Sequence, residues 1–238
     1  MEILKRFSPV PVAALDLLFP PRCAFCGSLL EHSGSGVCPD CECGLPYRTD
    51  GGVQELEGFP CITAFYYDGA VKEGVHALKF GKKSWRAEVF GRYIAENTAE
   101  CFPDAFDAVT FVPVSFRRSL ERGFDQAQLL ARSAAKTLRL PMLRTLRKIR
   151  NNRAQSSLTD PGQRRENVKG VYRSFCPAKI KGRRFLLVDD VITTGSTITA
   201  SATVLLDAGA KSVVCASLAG GHGGPPSAGN LQHTEPVT

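Results

Sequence analysis

The sequence lacks several features that would assign it to a common class of protein. No apolar run among its 238 residues is long enough to cross a bilayer, which argues against a membrane-spanning helix. Internal repeats are absent, and the 22 glycines and 15 prolines are too few for a fibrous chain. No G-x-x-x-x-G-K-[ST] segment occurs, which excludes a P-loop nucleotide site. These absences leave a globular chain, long enough for one full domain and a small module.

Disulfide frameworks are also disfavoured, because the nine cysteines are odd in number. The apolar run Val10–Phe19 is interrupted by Asp16, has no small-residue cleavage site, and is too short to span a membrane. This run is predicted to be a short amphipathic segment that packs on the protein. Reduced cysteines without a secretory signal predict a cytoplasmic location.

Positive charge is concentrated in one segment, Arg117–Arg153. It contains eleven lysines or arginines and two acids, a formal charge of +9, whereas the whole chain carries +7. Such a concentration suits an anionic partner: phosphate, diphosphate or a nucleic-acid backbone. For any single residue, a solvated basic helix face explains the charge equally well.

Five of the nine cysteines lie between Cys23 and Cys43, and four of them form two C-x-x-C pairs. Zn²⁺ prefers four soft ligands in a tetrahedron, and two intervening residues allow one tight turn to place both thiolates on one ion. The pairs predict a structural zinc site with Cys23, Cys26, Cys38 and Cys41 as ligands. Cys43 is an alternative to Cys41 as the fourth ligand. A redox-active C-x-x-C is the rival interpretation, but it needs a strand-to-helix setting that this Gly- and Pro-rich segment does not offer.

A strand, a polar loop and a helix follow one another near residue 190. Phe185–Val188 is a continuous apolar run typical of a buried parallel strand. Apolar residues then recur at helical spacing after Ser196, and Ser212–Leu218 is a second apolar run. This order predicts a βαβ unit whose polar loop lies at the carboxyl edge of a parallel sheet, where α/β folds bind ligands.

The chemistry of that loop suits a ribose phosphate. Backbone N–H groups and hydroxyls of Thr194–Thr197, at the start of a helix, would cradle a phosphate. Asp189 and Asp190 would repel a phosphate, so they suit the vicinal hydroxyls of a ribose or a Mg²⁺ near them. The plainer alternatives are a capping pair of aspartates and an ordinary helix N-cap.

The segment Val188–Thr197 resembles the signature of type I phosphoribosyltransferases for 5-phosphoribosyl 1-diphosphate (PRPP), two acids followed by T-T-G-x-T. Together with the cysteine pairs, the sequence is similar to the ComF/GntX family, whose members begin with a four-cysteine zinc finger. The resemblance covers roughly Leu17–Leu218, and Asp125 departs from the asparagine usual at that position. Further family-like elements are Leu78-Lys79-Phe80, Val112-Pro113-Val114, Arg122–Gln126, Arg153, Gln155, Ser156, Arg164, Asn167 and Val168.

The resemblance implies an α/β fold, with a type I phosphoribosyltransferase-like parallel sheet flanked by helices and a small N-terminal zinc-binding module. The implied units are an N-terminal helix and zinc finger in residues 1–48, a phosphoribosyltransferase-like domain in 61–218, and a disordered tail in 219–238. The glycine-containing stretch between the first two units, residues 49–60, is predicted to be a linker.

The resemblance also implies roles for individual residues. Structural zinc and a Mg²⁺ that accompanies PRPP are the implied cofactors. His76 and His222 have no evident partner and are predicted to be bystanders. The implied PRPP-binding residues are Asp189, Asp190, Val191, Ile192, Thr193, Thr194, Gly195, Ser196 and Thr197. The implied diphosphate loop is Pro113, Val114, Ser115, Arg117 and Arg118, and the candidate catalytic residues are Arg117, Arg118 and Arg153. A mobile loop over Arg147–Gln155 supplies candidate nucleic-acid contacts at Arg147, Lys148, Arg150 and Arg153.

Two functions follow from the resemblance. The first is a PRPP-binding protein that assists DNA uptake or processing in natural transformation, with single-stranded DNA and proteins of the uptake machinery as partners. The second is an active phosphoribosyltransferase that transfers phosphoribosyl from PRPP to a small acceptor. No general base and no recognisable base-binding hood support the second function, and a regulator that has lost catalysis is a third alternative.

Overall fold

The computed structural model describes residues 20–32, 34–48, 51–81, 83–150 and 170–221. Seven helices and seven strands occur within these ranges. The helices are α1 (Pro39–Gly44), α2 (Gly69–Phe80), α3 (Arg86–Cys101), α4 (Phe116–Arg122), α5 (Gln126–Leu138), α6 (Pro177–Ile180) and α7 (Ser196–Asp207). The strands are β1 (Val53–Leu56), β2 (Phe59–Tyr66), β3 (Ala108–Phe111), β4 (Leu146–Lys148), β5 (Tyr172–Ser174), β6 (Arg184–Ile192) and β7 (Ser212–Gly220).

Five strands form the main sheet in the order β1-β2-β7-β6-β3. The β2, β7, β6 and β3 strands are parallel to their neighbours, and β1 pairs antiparallel with β2 at one edge. The remaining two strands, β4 and β5, form a separate antiparallel ribbon. The predicted βαβ unit is β6-α7-β7, and the predicted α/β fold with a parallel sheet is confirmed.

Side chains of the central strands alternate between two hydrophobic cores. Leu186 and Val188 of β6 face a core built with α2, α3, α5 and the zinc-finger segment. Phe185 and Leu187 face a second core against α6 and α7. Because successive strand residues point to opposite faces, this continuous apolar run fills both cores and holds the sheet between two helical layers.

Several predicted boundaries differ from the observed ones. The predicted linker 49–60 contains β1 and the first residues of β2, because the antiparallel β1–β2 pair extends the sheet by one strand. The β6 strand continues to Ile192, so Asp189 and Asp190 lie within it and not in the loop beyond, and Asp189 is paired with Ser217 of β7. The β7 strand continues to Gly220, two residues into the predicted tail.

The zinc-finger segment shares the first core with the sheet. Phe25, which lies between Cys23 and Cys26, is 1% exposed. Its ring centroid lies 5.1 Å from that of Phe90 on α3 and 5.8 Å from that of Phe65 on β2. The two units predicted as separate are therefore joined by one aromatic cluster. The predicted N-terminal helix and residues 222–238 of the predicted tail, with His222, lie outside the described residues.

Candidate functional site

A cavity of about 750 Å³ opens at the carboxyl ends of β3 and β6, a volume in the range typical of small-molecule sites. All nine residues predicted to bind PRPP, Asp189–Thr197, line it. So do Pro113, Val114 and Arg118 of the predicted diphosphate loop. The parallel sheet brings these two segments together because β3 and β6 are adjacent and end at the same edge.

The loop between β6 and α7 has the form of a phosphate cradle. Gly195 has a φ of 79° and is the N-cap of α7, so no side chain caps the N–H groups of the first helical turn. Thr194 Oγ1 and Ser196 Oγ lie 3.0 Å apart within the same turn. Uncapped N–H groups, hydroxyls and the positive end of the helix dipole all favour an anion here.

A close contact also restricts the backbone at Gly195. A Cβ atom placed on this residue would lie 2.7 Å from Leu56 Cδ1, on the neighbouring edge strand β1. Glycine is therefore required at this position both for its left-handed φ and for space. The edge strand that the sequence did not reveal thus helps to shape the loop.

The two aspartates of β6 have different environments. Asp190 is 6% exposed, and its Oδ1 lies 2.9 Å from Lys79 Nζ while its Oδ2 accepts a hydrogen bond from Gln126 Nε2 at 3.1 Å. Asp189 is only partly covered, and its Oδ1 accepts a hydrogen bond from the Asp190 N–H at 2.8 Å. Both carboxylates line the cavity, but both oxygens of Asp190 are engaged by side chains, whereas Asp189 accepts from the backbone through Oδ1.

The charges of these groups are strongly coupled. Burial and the neighbouring charge of Asp190 raise the pKa of Asp189 well above its ordinary value. Burial lowers the pKa of Lys79, but the charge and hydrogen bond of Asp190, together with the charge of Asp189, outweigh burial and leave that pKa above its ordinary value. Lys79 is therefore a cation at neutral pH and offsets one of the two carboxylates.

Three further cations line the cavity: Arg118, Arg122 and Lys148. The Lys148 ammonium lies 5.7 Å from the ring centroid of Tyr172, its partner across the β4–β5 ribbon. Burial, together with repulsion from Arg118, lowers the pKa of Lys148 to about 8. Burial also lowers the pKa of Arg122, although nearby Asp190 opposes the shift. This wall suits a ligand that carries several negative charges.

Asp125, the departure from the usual family residue, has a structural role. It is the N-cap of α5, where Oδ1 accepts a hydrogen bond from the Gln128 N–H at 3.2 Å. Its Oδ2 accepts a hydrogen bond from the Val114 N–H at 3.0 Å. Burial raises the pKa of this carboxyl, although the backbone N–H donors oppose the shift. Asp125 thereby ties the predicted diphosphate loop to the start of α5.

The four predicted zinc ligands form one cluster. The Sγ atoms of Cys23, Cys26, Cys38 and Cys41 all lie within 4.8 Å of one another. Cys26 Sγ and Cys38 Sγ are 3.7 Å apart, close to the roughly 3.8 Å edge of a tetrahedron with Zn–S bonds of about 2.3 Å. The residues present therefore fit Zn²⁺. Cys43 is exposed and outside the cluster, whereas Cys41 completes the group of four thiols.

Comparison with known families agrees with both sites. Residues 104–228, just over half of the chain, match the phosphoribosyl transferase domain family. The chain belongs to this family. Residues 14–51 match a double zinc ribbon domain. Together with the cysteine cluster, this match supports structural zinc in this phosphoribosyl transferase domain protein.

Relatives of this phosphoribosyl transferase domain protein confirm its resemblance to the ComF/GntX family. The DNA utilization protein YhgH of Salmonella typhi is 29% identical over 227 residues, which cover 83% of this chain and 96% of that protein. Competence protein ComFC of Bacillus subtilis (strain 168) is 26% identical over 212 residues, covering 82% and 83%. A solved glutamine PRPP amidotransferase from B. subtilis is 23% identical with a TM-score of 0.39, and the match covers 56% of this chain and 26% of that longer one.

The remaining site residues predicted for this phosphoribosyl transferase domain protein do not all lie at the cavity. Arg117 is mostly exposed, and its Nε lies 2.8 Å from Glu121 Oε1, whereas Arg118 lines the cavity. Ser115 is the N-cap of α4 and accepts a hydrogen bond from the Arg118 N–H. Lys148, predicted as a nucleic-acid contact, lies in the cavity wall. Arg153 lies outside the described residues, as do Gln155, Ser156, Arg164, Asn167 and Val168.

Several cavity residues were not predicted. Tyr67 follows β2 and Tyr172 lies on β5, so nothing near them in sequence points to the ligand loop. His76, predicted to be a bystander, also lines the cavity, from the same helix as Lys79. The sequence pointed to Arg122 and Gln126 only as part of the family-like element Arg122–Gln126, without a role at the cavity. That the end of α2 lies at the same cavity as the Thr193–Thr197 loop is visible only in the tertiary structure.

No helix in the described part of the chain is both long and apolar enough to cross a membrane. The cytoplasmic location predicted from the cysteines stays a prediction.

Proposed function

We propose that the chain binds PRPP, with its ribose 5-phosphate group on the Thr193–Thr197 loop and its diphosphate toward Arg118 and Lys148. The observation that carries this proposal is the cavity itself, where an uncapped helix start, a free-facing carboxylate and a cationic wall converge. Asp189 would accept hydrogen bonds from the ribose hydroxyls. These groups line one cavity, which suits a ligand that carries phosphate groups and polar hydroxyls together.

Magnesium would enter with the diphosphate. Mg²⁺ usually binds proteins through one or two carboxylates and otherwise through substrate phosphates and water. Because Lys79 and Gln126 already engage Asp190, Asp189 is the carboxylate of the pair that remains for the ion. The chain thus offers a partial donor set that fits a Mg–diphosphate complex and not an isolated ion.

Calorimetric titration of PRPP with Mg²⁺ tests this proposal. Asp189→Asn should weaken binding at least tenfold, a loss of roughly 1.4 kcal/mol, because a neutral amide donates as well as accepts. Asp207→Asn, at the exposed far end of α7, is the matched control and should bind as the unaltered protein does. Absence of PRPP binding by the unaltered protein would refute the proposal.

We further propose that the chain acts on DNA during uptake or use of DNA, as the names of its YhgH and ComFC relatives suggest. The β4–β5 ribbon supports this role. Arg147 and Arg173 are register partners on its exposed face, where directly opposed like charges repel unless an anion lies between them. Arg144 and Arg150 are exposed beside them. Alternation along the ribbon places Lys148 and Tyr172 on the opposite, cavity-facing side.

Fluorescence anisotropy with a single-stranded oligonucleotide tests the DNA proposal. Replacement of both Arg147 and Arg173 by alanine should weaken binding and lower the slope of log K against log salt by about 0.7 for each lost phosphate contact. Arg132→Ala, an exposed change on α5, is the control. An unchanged affinity and slope in the double variant would exclude the ribbon as the DNA contact.

A second candidate function is phosphoribosyl transfer to a planar acceptor. Tyr67, His76 and Phe80 form an aromatic wall of the same cavity, and the Phe80 side chain is 62% exposed. The His76 and Phe80 ring centroids lie 4.8 Å apart, and the Arg122 guanidinium lies 5.2 Å from the Phe80 ring. A heteroaromatic acceptor could stack here, beside the ribose. Diphosphate release from PRPP with a panel of nucleobases, and its loss in Phe80→Ser, would test this candidate.

A further inference from the structure

A buried arginine contacts the first zinc-binding turn. Arg86, the first residue of α3, is 2% exposed. Its Nη1 donates hydrogen bonds to the carbonyl oxygens of Ala24 and Phe25, the two residues between Cys23 and Cys26, and the Phe25 bond is 2.7 Å long. The helix therefore holds the backbone of this turn from the side opposite to solvent.

Arg86 has no acidic partner in the part of the chain that the structure describes. In the described ranges of the chain no carboxylate forms an ion pair with it, and its Nε is buried without a hydrogen-bond partner. Burial of an unpaired cation is strongly unfavourable, so a compensating negative charge is expected nearby. The cysteine cluster supplies one, because Zn²⁺ with four thiolates carries a net charge of −2.

The electrostatics of Arg86 agree with this arrangement. Burial lowers the pKa of Arg86, whereas the charges of Cys23 and Cys26 oppose that shift. A Cβ atom on Gly27, the residue after Cys26, would lie 3.2 Å from Arg86 Nη2. The guanidinium therefore reaches the full length of the first cysteine turn.

We propose that Arg86 is the counter-ion of the zinc–tetrathiolate centre and locks the first cysteine turn onto α3. Its charge offsets part of the negative charge of the centre, and its hydrogen bonds fix the Ala24 and Phe25 carbonyls. Arg86 is thus a positioning residue that couples zinc retention to the packing of Phe25 in the main core. This inference does not depend on the proposed ligand of the cavity.

A second arginine on α3 offers a matched control. Arg92 donates a hydrogen bond to the Ser35 carbonyl in the loop between the cysteine pairs. Its side chain is 34% exposed, however, and its Nε lies 3.7 Å from Glu96 Oε1. Both arginines therefore contact the zinc-finger segment from one helix, but only Arg86 is buried without an acidic partner.

Competition of the full-length, zinc-loaded chain with a chromophoric chelator tests the proposal. Loss of a residue that supports metal ligands typically costs about 10- to 100-fold in metal affinity. Arg86→Gln keeps a donor and removes the charge, so zinc affinity should fall by about that factor. Arg86→Lys keeps the charge and should lose clearly less, and Arg92→Gln should match the unaltered protein. Equal losses in Arg86→Gln and Arg86→Lys, or no loss in Arg86→Gln, would overturn the proposal.

Trp85 provides a second readout if Arg86→Gln does not accumulate in folded form. It is the single tryptophan of the chain, and the Arg86 guanidinium lies 5.2 Å from its ring. Refolding from denaturant at graded free zinc concentrations can be followed by Trp85 emission. The zinc concentration at which half of the Trp85 signal recovers should be at least about tenfold higher for Arg86→Gln than for Arg86→Lys. A Gln variant that does not refold at any zinc concentration tested agrees with this order. Coincident midpoints would contradict it.

Discussion

Lys79 Nζ lies 2.9 Å from Asp190 Oδ1, and this ion pair joins the end of α2 to the carboxyl end of β6. Its two side chains are mostly covered, at 21% and 9% exposure. The pair neutralises Asp190, the more buried of two adjacent carboxylates that line the cavity, and leaves Asp189 without a cationic partner at hydrogen-bond distance among the described residues. A repulsive Asp-Asp sequence is thereby tolerated inside a parallel sheet.

Loss of the Lys79 ammonium should destabilise the fold. Lys79→Met leaves a buried carboxylate with only Gln126 as a partner, so the free energy of unfolding should fall by about 2–3 kcal/mol. Lys72→Met, an exposed change on the same helix, should cost less than about 0.5 kcal/mol. Urea unfolding of the two variants at neutral pH measures the difference. Equal stabilities would show that the ion pair contributes nothing to the fold.

Neutralisation of Asp189 should stabilise the ligand-free protein. Burial and the charge of Asp190 raise its pKa in the folded chain, so the folded state is penalised for the ionised form at neutral pH. That penalty is fully present above the raised pKa and declines as the pH falls toward the ordinary value. Asp189→Asn should therefore melt at a higher temperature than the unaltered protein at pH 8, and the gap should narrow toward pH 6. A gap that widens on acidification would contradict this assignment.

Anion binding in the cavity should depend on the protonation of Lys148. Because the pKa of Lys148 is about 8, its positive charge is present at pH 7 and largely lost at pH 9. If a bound diphosphate requires that charge, PRPP affinity should fall by about tenfold between these pH values. Lys148→Arg keeps its charge over this range and should flatten the profile. A profile in Lys148→Arg as steep as in the unaltered protein would assign the pH dependence to another group.

Two glycines with similar backbones should respond differently to alanine. Gly182 has a φ of 74° and open space around its Cβ position, so Gly182→Ala should cost about 1 kcal/mol from the left-handed backbone alone. Gly195→Ala adds the contact with Leu56 Cδ1, the end of a flexible side chain that must shift, and should cost roughly 0.5–1 kcal/mol more. Leu56→Ala in the same chain should recover most of that extra cost. Chemical denaturation of the three variants checks this, and equal costs at the two glycines would argue against the Leu56 contact.

The sequence predicted the two sites whose residues are close together along the chain. A C-x-x-C turn and a strand–loop–helix segment are set by local geometry, so their spacing alone indicates which side chains converge. The order strand, helix, strand likewise fixed the parallel sheet around β6 and β7. The Asp189–Thr197 segment accordingly lines the cavity as a unit. By contrast, the sequence predicted a linker where β1 lies, because a four-residue strand before a glycine turn carries little periodicity.

The sequence by itself determined the zinc-ligand candidates, the ligand loop and the α/β class, because each depends on residues within one short continuous stretch of the chain, Cys23–Cys41 for the first and Phe185–Leu218 for the other two. Tertiary structure alone decided which partners reach them from afar. Lys79 meets Asp190 across 111 positions, and Arg86 meets Ala24 across 62. It also decided that Lys148 faces the cavity while Arg147 faces outward. Such contacts arise from how sheet and helices pack, and neighbouring sequence contains no record of that packing.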